Sequence, residues 1–495
     1  MVFIPGEGHS LEAERLGALL GDWRQGRGPL HRRLAGVLRS AIALGALPRG
    51  ESLPPERAIA AGLQVSRATV VSALEALKSE GLLEARQGSG TWVRSGPARA
   101  DLGNAQLVAS LEEHAIVRDL EGAPHGLELT AAAVDCAPEV AEAVAELTRS
   151  DLAAALTGHG YSPQGLGRLR SAVAEHLRGL GLPTTPAQVL ITSGATQAIL
   201  LAGRLYLEPG GPTVVEAPTY AGAIDVLSAL GAKLLPVAVD PSGARVDLLA
   251  DLLAKALPHL VYLVPDFHNP AGMVLSERRR AEVARLAAEY HVPVVEDLVQ
   301  RELWFDRPPP PPIAAYAPEA PILTVGSMSK VFWGGLRIGW VRGDEATIAR
   351  LARMKAVTDF GTPILSQLVS ATLLDRLEDV AAARRSALSE RLEVMERELH
   401  RQLPDWRWQR PAGGLSLWVR LPEPRAQEMV RAAGQLGVAG VPGTTFAVGE
   451  RAHTDHLRLP FVAEPAVITE GIRRLAAAWH SLDEQVARPA PAVVV

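Results

Sequence analysis

Ser327-Met328-Ser329-Lys330, followed a few residues on by Gly334-Gly335-Leu336-Arg337, succeeds the apolar run Ile322-Leu323-Thr324-Val325 after a single glycine, Gly326. A run this short, bounded by small polar residues, predicts a buried strand rather than a helix. The loop after it collects two hydroxyls, an amine and a guanidinium, donors that can gather about an anion. Working outward, Val189–Thr192, Thr213–Glu216, Leu260–Val264 and Val292–Glu296 are further apolar runs separated by helical stretches. Alternation of this kind from about residue 127 to 484 predicts a mainly parallel sheet covered on both faces. Ser193-Gly194-Ala195-Thr196-Gln197 lies between one such strand and an apolar helix, so its amides and helix dipole can face an anion.

The chain has 495 residues, which implies two or more domains. An apolar share of 47% excludes a disordered chain, and with only 4% aromatics the core must be built from Ala, Leu and Val. Cys136 is the single cysteine, so no internal disulfide can form; it reads as a small buried residue in a reducing compartment rather than as a nucleophile. No charge-free apolar run reaches the roughly 18 residues of a membrane span, and Met1–Glu7 lacks a secretory leader. A soluble, cytoplasmic protein without metal or membrane partners is expected. Pro308 to Pro312 reads as an exposed, stiff loop.

Net charge is −5, but Arg24–Arg94 holds eleven Lys and Arg against five Glu and no Asp, a surplus of six that leaves −11 for the remainder. A basic head on an acidic body suits a nucleic-acid reader tethered to something that avoids nucleic acid. In the head, Leu34, Val37, Leu38, Ala41 and Ile42 recur at helical spacing. Pro54-Pro55 opens a second helix bearing Ile59 and Leu63. Ser66 is placed to cap a third that buries Val70, Leu74 and Leu77 and ends at Gly81. Leu83–Arg86 and Thr91–Arg94, joined by Gln87-Gly88-Ser89-Gly90, form a hairpin wing. Arg67 and Thr69 fall in the first turn of the third helix, the end that enters a major groove, while Arg57 and Ser66 can hold phosphates. Gly88 and Gly90 either let the wing approach a sugar-phosphate wall or serve hairpin geometry alone.

The series Pro29-Leu30, Leu53-Pro54-Pro55-Glu56-Arg57, Val65-Ser66-Arg67-Ala68-Thr69-Val70, Gly81-Leu82-Leu83 and Gly88-Ser89-Gly90-Thr91 resembles the winged helix-turn-helix head of the GntR family. From about residue 127 the chain resembles a fold-type I, aspartate-aminotransferase-like protein, whose cofactor is pyridoxal 5'-phosphate (PLP). That resemblance implies Lys330 as the Schiff-base lysine, and Gly194, Ala195, Thr196, Ser327, Ser329 and Arg337 as the phosphate cup. It implies Asp297 as partner of the pyridine nitrogen, Asn269 as partner of the ring hydroxyl and Tyr220 as the stacking ring. Arg458, in Leu457-Arg458-Leu459-Pro460, matches an arginine that takes a carboxylate bidentately. Three positions depart from the pattern. Gln300 stands where a tyrosine usually bonds the ring hydroxyl, and Gly334 where a proline is common. The spacing in Tyr161-Ser162-Pro163-Gln164-Gly165 is one residue short of a cross-subunit phosphate motif.

Both halves together resemble the MocR subfamily. The fold class expected is α/β, with a winged helix-turn-helix domain over 1–95, a linker over 96–126 containing a short helix near 110–120, a PLP-binding effector domain over 127–484 and a disordered tail over 485–495. The resemblance implies a head-to-tail homodimer, a double-stranded DNA operator, and an effector that is an amino compound or PLP itself. The rival reading is a working aminotransferase that carries a DNA-binding head.

Overall fold

The computed structural model describes residues 16, 29–43, 47, 51–79, 82–86, 90–93, 127–155, 159–449 and 452–487. The chain divides into two compact units, Met1–Glu113 and His114–Val495. The expected linker with its short helix, and the tail beyond Ala487, lie outside the described residues.

In the first unit, helices Leu30–Ala43, Glu56–Gly62 and Arg67–Ser79 pack around Leu34, Leu38, Ile59, Val70, Leu74 and Leu77. The third helix is described to Ser79, just short of the expected end at Gly81. The wing has a strand that the periodicity did not show. Ser52–Leu53 pairs antiparallel with Gly90–Val93, which pairs in turn with Leu83–Arg86. Two residues ahead of a proline pair are too few to carry a readable alternation.

In the second unit, eight strands form one sheet in the order Val189–Thr192, Gly339–Arg342, Ile322–Ser327, Val294–Asp297, Leu260–Leu263, Pro212–Ala217, Lys233–Asp240, Gly243–Ala244. The strands from Ile322–Ser327 through Lys233–Asp240 are parallel, and Gly339–Arg342 runs antiparallel between two of its neighbours. Side chains alternate between two cores: Ile191, Val214, Val261 and Val294 face one, while Leu190, Val215, Leu260 and Val295 face the other. Burial on both faces is why these strands read as unbroken apolar runs. A four-stranded antiparallel sheet follows, in the order Arg407–Trp408, Ser416–Arg420, His456–Pro460, Val441–Pro442. The final helix, Pro465–Ala487, continues into the segment expected to be tail.

Two local expectations change. Cys136 is exposed, because it sits just before the helix Pro138–Ala145 on its solvent side, with neighbouring Ala137 taking the buried position. The proline run is a loop, exposed at Pro308 and Pro311, but Pro312 is buried. The carbonyls of Pro310 and Pro311 accept from Arg301 and Arg280 at 2.9 and 3.2 Å. Both arginines are buried and share Asp266, which explains why the prolines are pinned to the domain.

Candidate functional site

Each loop that carries an expected cofactor residue leaves the carboxyl end of a strand in the large sheet, where open α/β sheets bind ligands. Gly194 follows Val189–Thr192, Tyr220 follows Pro212–Ala217, and Asn269 follows Leu260–Leu263. Asp297 ends its strand, and Ser327, Ser329 and Lys330 leave the next.

Gly194 has φ +135°, a conformation that side chains rarely adopt, and it opens the helix Ala195–Tyr206. A Cβ on Gly194 would lie 3.3 Å from Nη2 of Arg337, so the exposed guanidinium sits directly over the helix start. Ala195 and Thr196 form the first turn, whose amides have no carbonyl partner within a helix. The Ser193 amide is different: it donates to Oε1 of Gln197 at 2.9 Å and is not available to an anion. Ser327 Oγ donates to Ser329 Oγ at 3.0 Å, so the two hydroxyls form one pair.

Asp297 is buried, and its Oδ2 accepts from the Tyr262 hydroxyl at 2.8 Å while Oδ1 accepts from the Val299 amide at 3.0 Å. Burial pushes the Asp297 carboxyl up; the two hydrogen bonds and the nearby Lys330 ammonium pull against that shift. Tyr262 was invisible in the sequence, where it belongs to an apolar strand. Its hydroxyl, raised well above the usual tyrosine range by burial beside Asp297, was the only polar tip in that run. Lys330 Nζ donates to the Ala132 carbonyl at 2.8 Å. Tyr220 is half-buried at the start of the helix Ala221–Ala229.

Asn269 is half-buried, and its Oδ1 has no hydrogen-bond partner among the described residues. A polar atom left over at the same strand ends as Asp297 and Lys330, a glycine cradle under a guanidinium and a buried carboxyl are what the PLP ring hydroxyl, phosphate and ring nitrogen require. The residues fit the group. Gln300 does not substitute simply for a tyrosine: it is buried, and its Nε2 donates to the Phe267 carbonyl at 3.1 Å. Arg458 lies mid-strand in the second sheet, 3% exposed, with its guanidinium 4.8 Å over the Phe446 ring. It also donates to the Thr130 carbonyl. The Phe446 carbonyl accepts from the Thr219 amide at 3.1 Å, which ties the Arg458 region to the loop of Tyr220. Tyr161 is exposed and packs on Phe360, with ring centroids 5.3 Å apart.

In the head, Ser66 caps the third helix as expected, its Oγ accepting from the Thr69 amide at 3.1 Å and lying 2.8 Å from the Thr69 hydroxyl. Arg57 is exposed. Arg67 donates from Nε and Nη2 to Oε2 of Glu56 at 3.3 and 3.0 Å. Gly90 has φ +91° and open space where a Cβ would stand, so the backbone conformation explains the glycine. Gly88 lies outside the described residues. The DNA-directed residues fall in the first unit and the cofactor residues in the second. Among the described residues no group of His, Cys, Asp and Glu could hold a metal, and no helix is long and apolar enough to cross a membrane.

A doubly covered sheet with a lysine, an aspartate and a glycine-arginine cradle at its strand ends defines the class of fold-type I PLP-dependent proteins. Residues 127–475 match the family "aminotransferase class I and II", and residues 30–93 match "bacterial regulatory proteins, gntR family". The chain therefore belongs to the aminotransferase class I and II family and, with its gntR head, has the MocR-like architecture of a transcription regulator. It is 33% identical to the HTH-type transcriptional regulator YisV of Bacillus subtilis, over 81% of this chain and 86% of that one. It is 27% identical to the probable rhizopine catabolism regulatory protein MocR of Rhizobium meliloti, over 93% and 96%. Among solved structures, LysN, the α-aminoadipate aminotransferase of Thermus thermophilus, complexed with N-(5'-phosphopyridoxyl)-L-leucine, matches with TM-score 0.67 and 32% identity. That match covers 73% of this chain and 93% of LysN.

Proposed function

We propose that this regulator binds an operator in double-stranded DNA through its head and holds PLP on Lys330 of its body, where an amino compound or PLP itself is the signal. The observation that supports the reading is the placement of Lys330 and the buried, doubly hydrogen-bonded Asp297 at the carboxyl ends of two adjacent parallel strands. When bound, the cofactor supplies an aldehyde for amines and an electron-withdrawing ring. The chain's own groups do the rest. Asp297 holds a proton at the ring nitrogen, and Asn269 meets the ring hydroxyl. Gln300, at the position where a tyrosine is usual, has committed one N–H to Phe267. Gly194, Ala195, Thr196, Ser327, Ser329 and Arg337 take the phosphate, Tyr220 covers the ring, and Arg458 favours an effector with a carboxylate. Arg57, Ser66 and the wing contact the DNA backbone, and Arg67 and Thr69 read bases. Two copies in a head-to-tail dimer, in the cytoplasm, would present paired heads to paired half-sites.

The decisive experiment adds PLP to the purified protein and to Lys330→Ala. The wild type should gain the visible absorption of a Schiff base and the variant should not; equal absorption in both would refute the assignment of the lysine. Because Lys330, Asp297, Asn269 and Arg458 are all present, transamination is the second reading. Multiple turnovers with an amino donor and a keto acid would favour it over a purely regulatory role.

A further inference from the structure

Behind the loop that opens the helix Ala195–Tyr206 runs a chain of polar contacts that no cofactor contact explains. The Ser193 amide donates to Gln197 Oε1, and Gln197 Nε2 donates to Asp359 Oδ2, each at 2.9 Å. These partners fix the amide's orientation, since a backbone N–H only donates and a carboxylate only accepts. Asp359 ends the helix Glu345–Asp359 and accepts from Lys355 Nζ at 2.8 and 2.9 Å and from the Gly361 amide at 2.9 Å. Lys355 is fully buried, and its ammonium is neutralised by the partly exposed carboxylate of Asp359. The bridge therefore ends on a rigid pair of no net charge, not on a bare anion next to an anion site.

We infer that Gln197, held by Asp359 and Lys355, is a positioning residue for the cofactor phosphate: it fixes the backbone of Ser193 and, through it, the Gly194 cradle beneath Arg337. The inference rests on the reading of Gly194–Thr196 and Arg337 as the phosphate cup. Gln197 acts through the backbone: its Oε1 takes the Ser193 amide and its Nε2 is held by Asp359. The simpler role for such a residue is a cap at a helix start. A glutamate would serve that role at least as well, since it can accept the same Ser193 amide and suits the helix dipole. It would also set a second carboxylate against Asp359 and add negative charge beside the cup. Gln197→Glu thus separates capping from positioning, and Gln197→Ala breaks the bridge outright.

The test uses full-length protein freed of cofactor and titrated with PLP or with pyridoxal, which has the same aldehyde and ring without the phosphate. Dissociation constants come from the visible absorption, with thermal melts run alongside. Both variants should bind PLP more weakly by about tenfold or more, the loss typical of hydrogen bonds to charged groups, while pyridoxal binding and the melts stay unchanged. Parallel weakening of PLP and pyridoxal would overturn the positioning role, and so would wild-type PLP affinity in Gln197→Glu. Wild-type protein that binds neither compound would overturn the cofactor reading itself, which distinguishes the two failures.

Discussion

At the scale of single residues, the acid–base pair His176–Glu302 is outside the cofactor chemistry but lies beside it, lining a small cavity with Ser327, Val299 and Trp340. Nε2 of His176 is 3.5 Å from Oε1 of Glu302. Burial pushes Glu302 up to about 7, against the pull of Arg301, and burial with Arg301 pushes His176 down to about 4. Glu302 keeps its proton in the fold longer than in the unfolded chain. Its contribution to stability is therefore complete below about pH 4.5 and is lost as pH rises through about 7. Glu302→Gln mimics the protonated form, so it should gain on the wild type by about 3 kcal/mol across that window. Urea midpoints at pH 4.5 and pH 8 measure the gap; a gap that does not widen would mean Glu302 is ionised in the fold. His176 works in the opposite sense, its neutral form becoming a liability as pH falls from about 6.5 to about 4.

At the scale of elements, the third helix of the head and the central strands of the body each carry a testable demand. Arg67 is held at the helix start by Glu56, but both side chains are exposed enough that the pair adds little stability. Arg67→Ala should leave the melt within about 1 kcal/mol. It should weaken binding to a selected operator by about 1–3 kcal/mol while sparing nonspecific DNA, measured by fluorescence anisotropy on both DNAs. In the body, a Cβ on Gly339 would lie 2.8 Å from Gly194 backbone atoms and 2.9 Å from the Gly326 carbonyl. Gly339→Ala must displace backbone rather than a side chain, so a loss of about 1–3 kcal/mol is expected, with weaker PLP binding by absorption titration. Unchanged PLP affinity would mean that the cradle tolerates a shift of its neighbour strand.

Elements were legible in proportion to their length and regularity. Leu260–Val264 and Val292–Glu296 announce themselves as apolar runs because both faces are buried. Lys233–Asp240 is interrupted by Pro236, and Gly339–Arg342 alternates with a tryptophan and an arginine, so neither was singled out. Lys330, Asp297, Asn269 and Gly194 were readable because each lies in a short, ordered motif. The roles of Tyr262 and Asp359, and the partner of Gln197, were not, because the partners are brought together only by the tertiary fold: 35 residues separate Tyr262 from Asp297, and 162 separate Gln197 from Asp359. The exposure of Cys136 was missed for a related reason, since which side of a chain faces solvent is decided by its packing.

At the scale of the whole molecule, a reader of DNA and a holder of small molecules share one chain. If an amine on the body alters the affinity of the head for DNA, linkage requires the operator to alter the affinity for that amine by the same factor. The expectation is that titrating the PLP-loaded protein with an effective amine, with and without operator DNA, gives two dissociation constants in that ratio. A shift in one direction without its reciprocal would show that the amine acts by consuming the cofactor, as in turnover, rather than by equilibrium coupling.

The run from Pro308 to Pro312 shows how a segment without backbone donors can still be anchored. Proline offers only carbonyls, so such a strip is purely electron-rich along its edge and needs a forked, permanently cationic guest. Arg301 and Arg280 supply that fork while sharing Asp266. The five rings could be exchanged for other residues able to keep the extended path, but a lysine in place of either arginine would have one nitrogen to divide among acceptors spread across several residues. What reads as a spacer is, in the folded protein, a latch whose key lies on the neighbouring helix and loop.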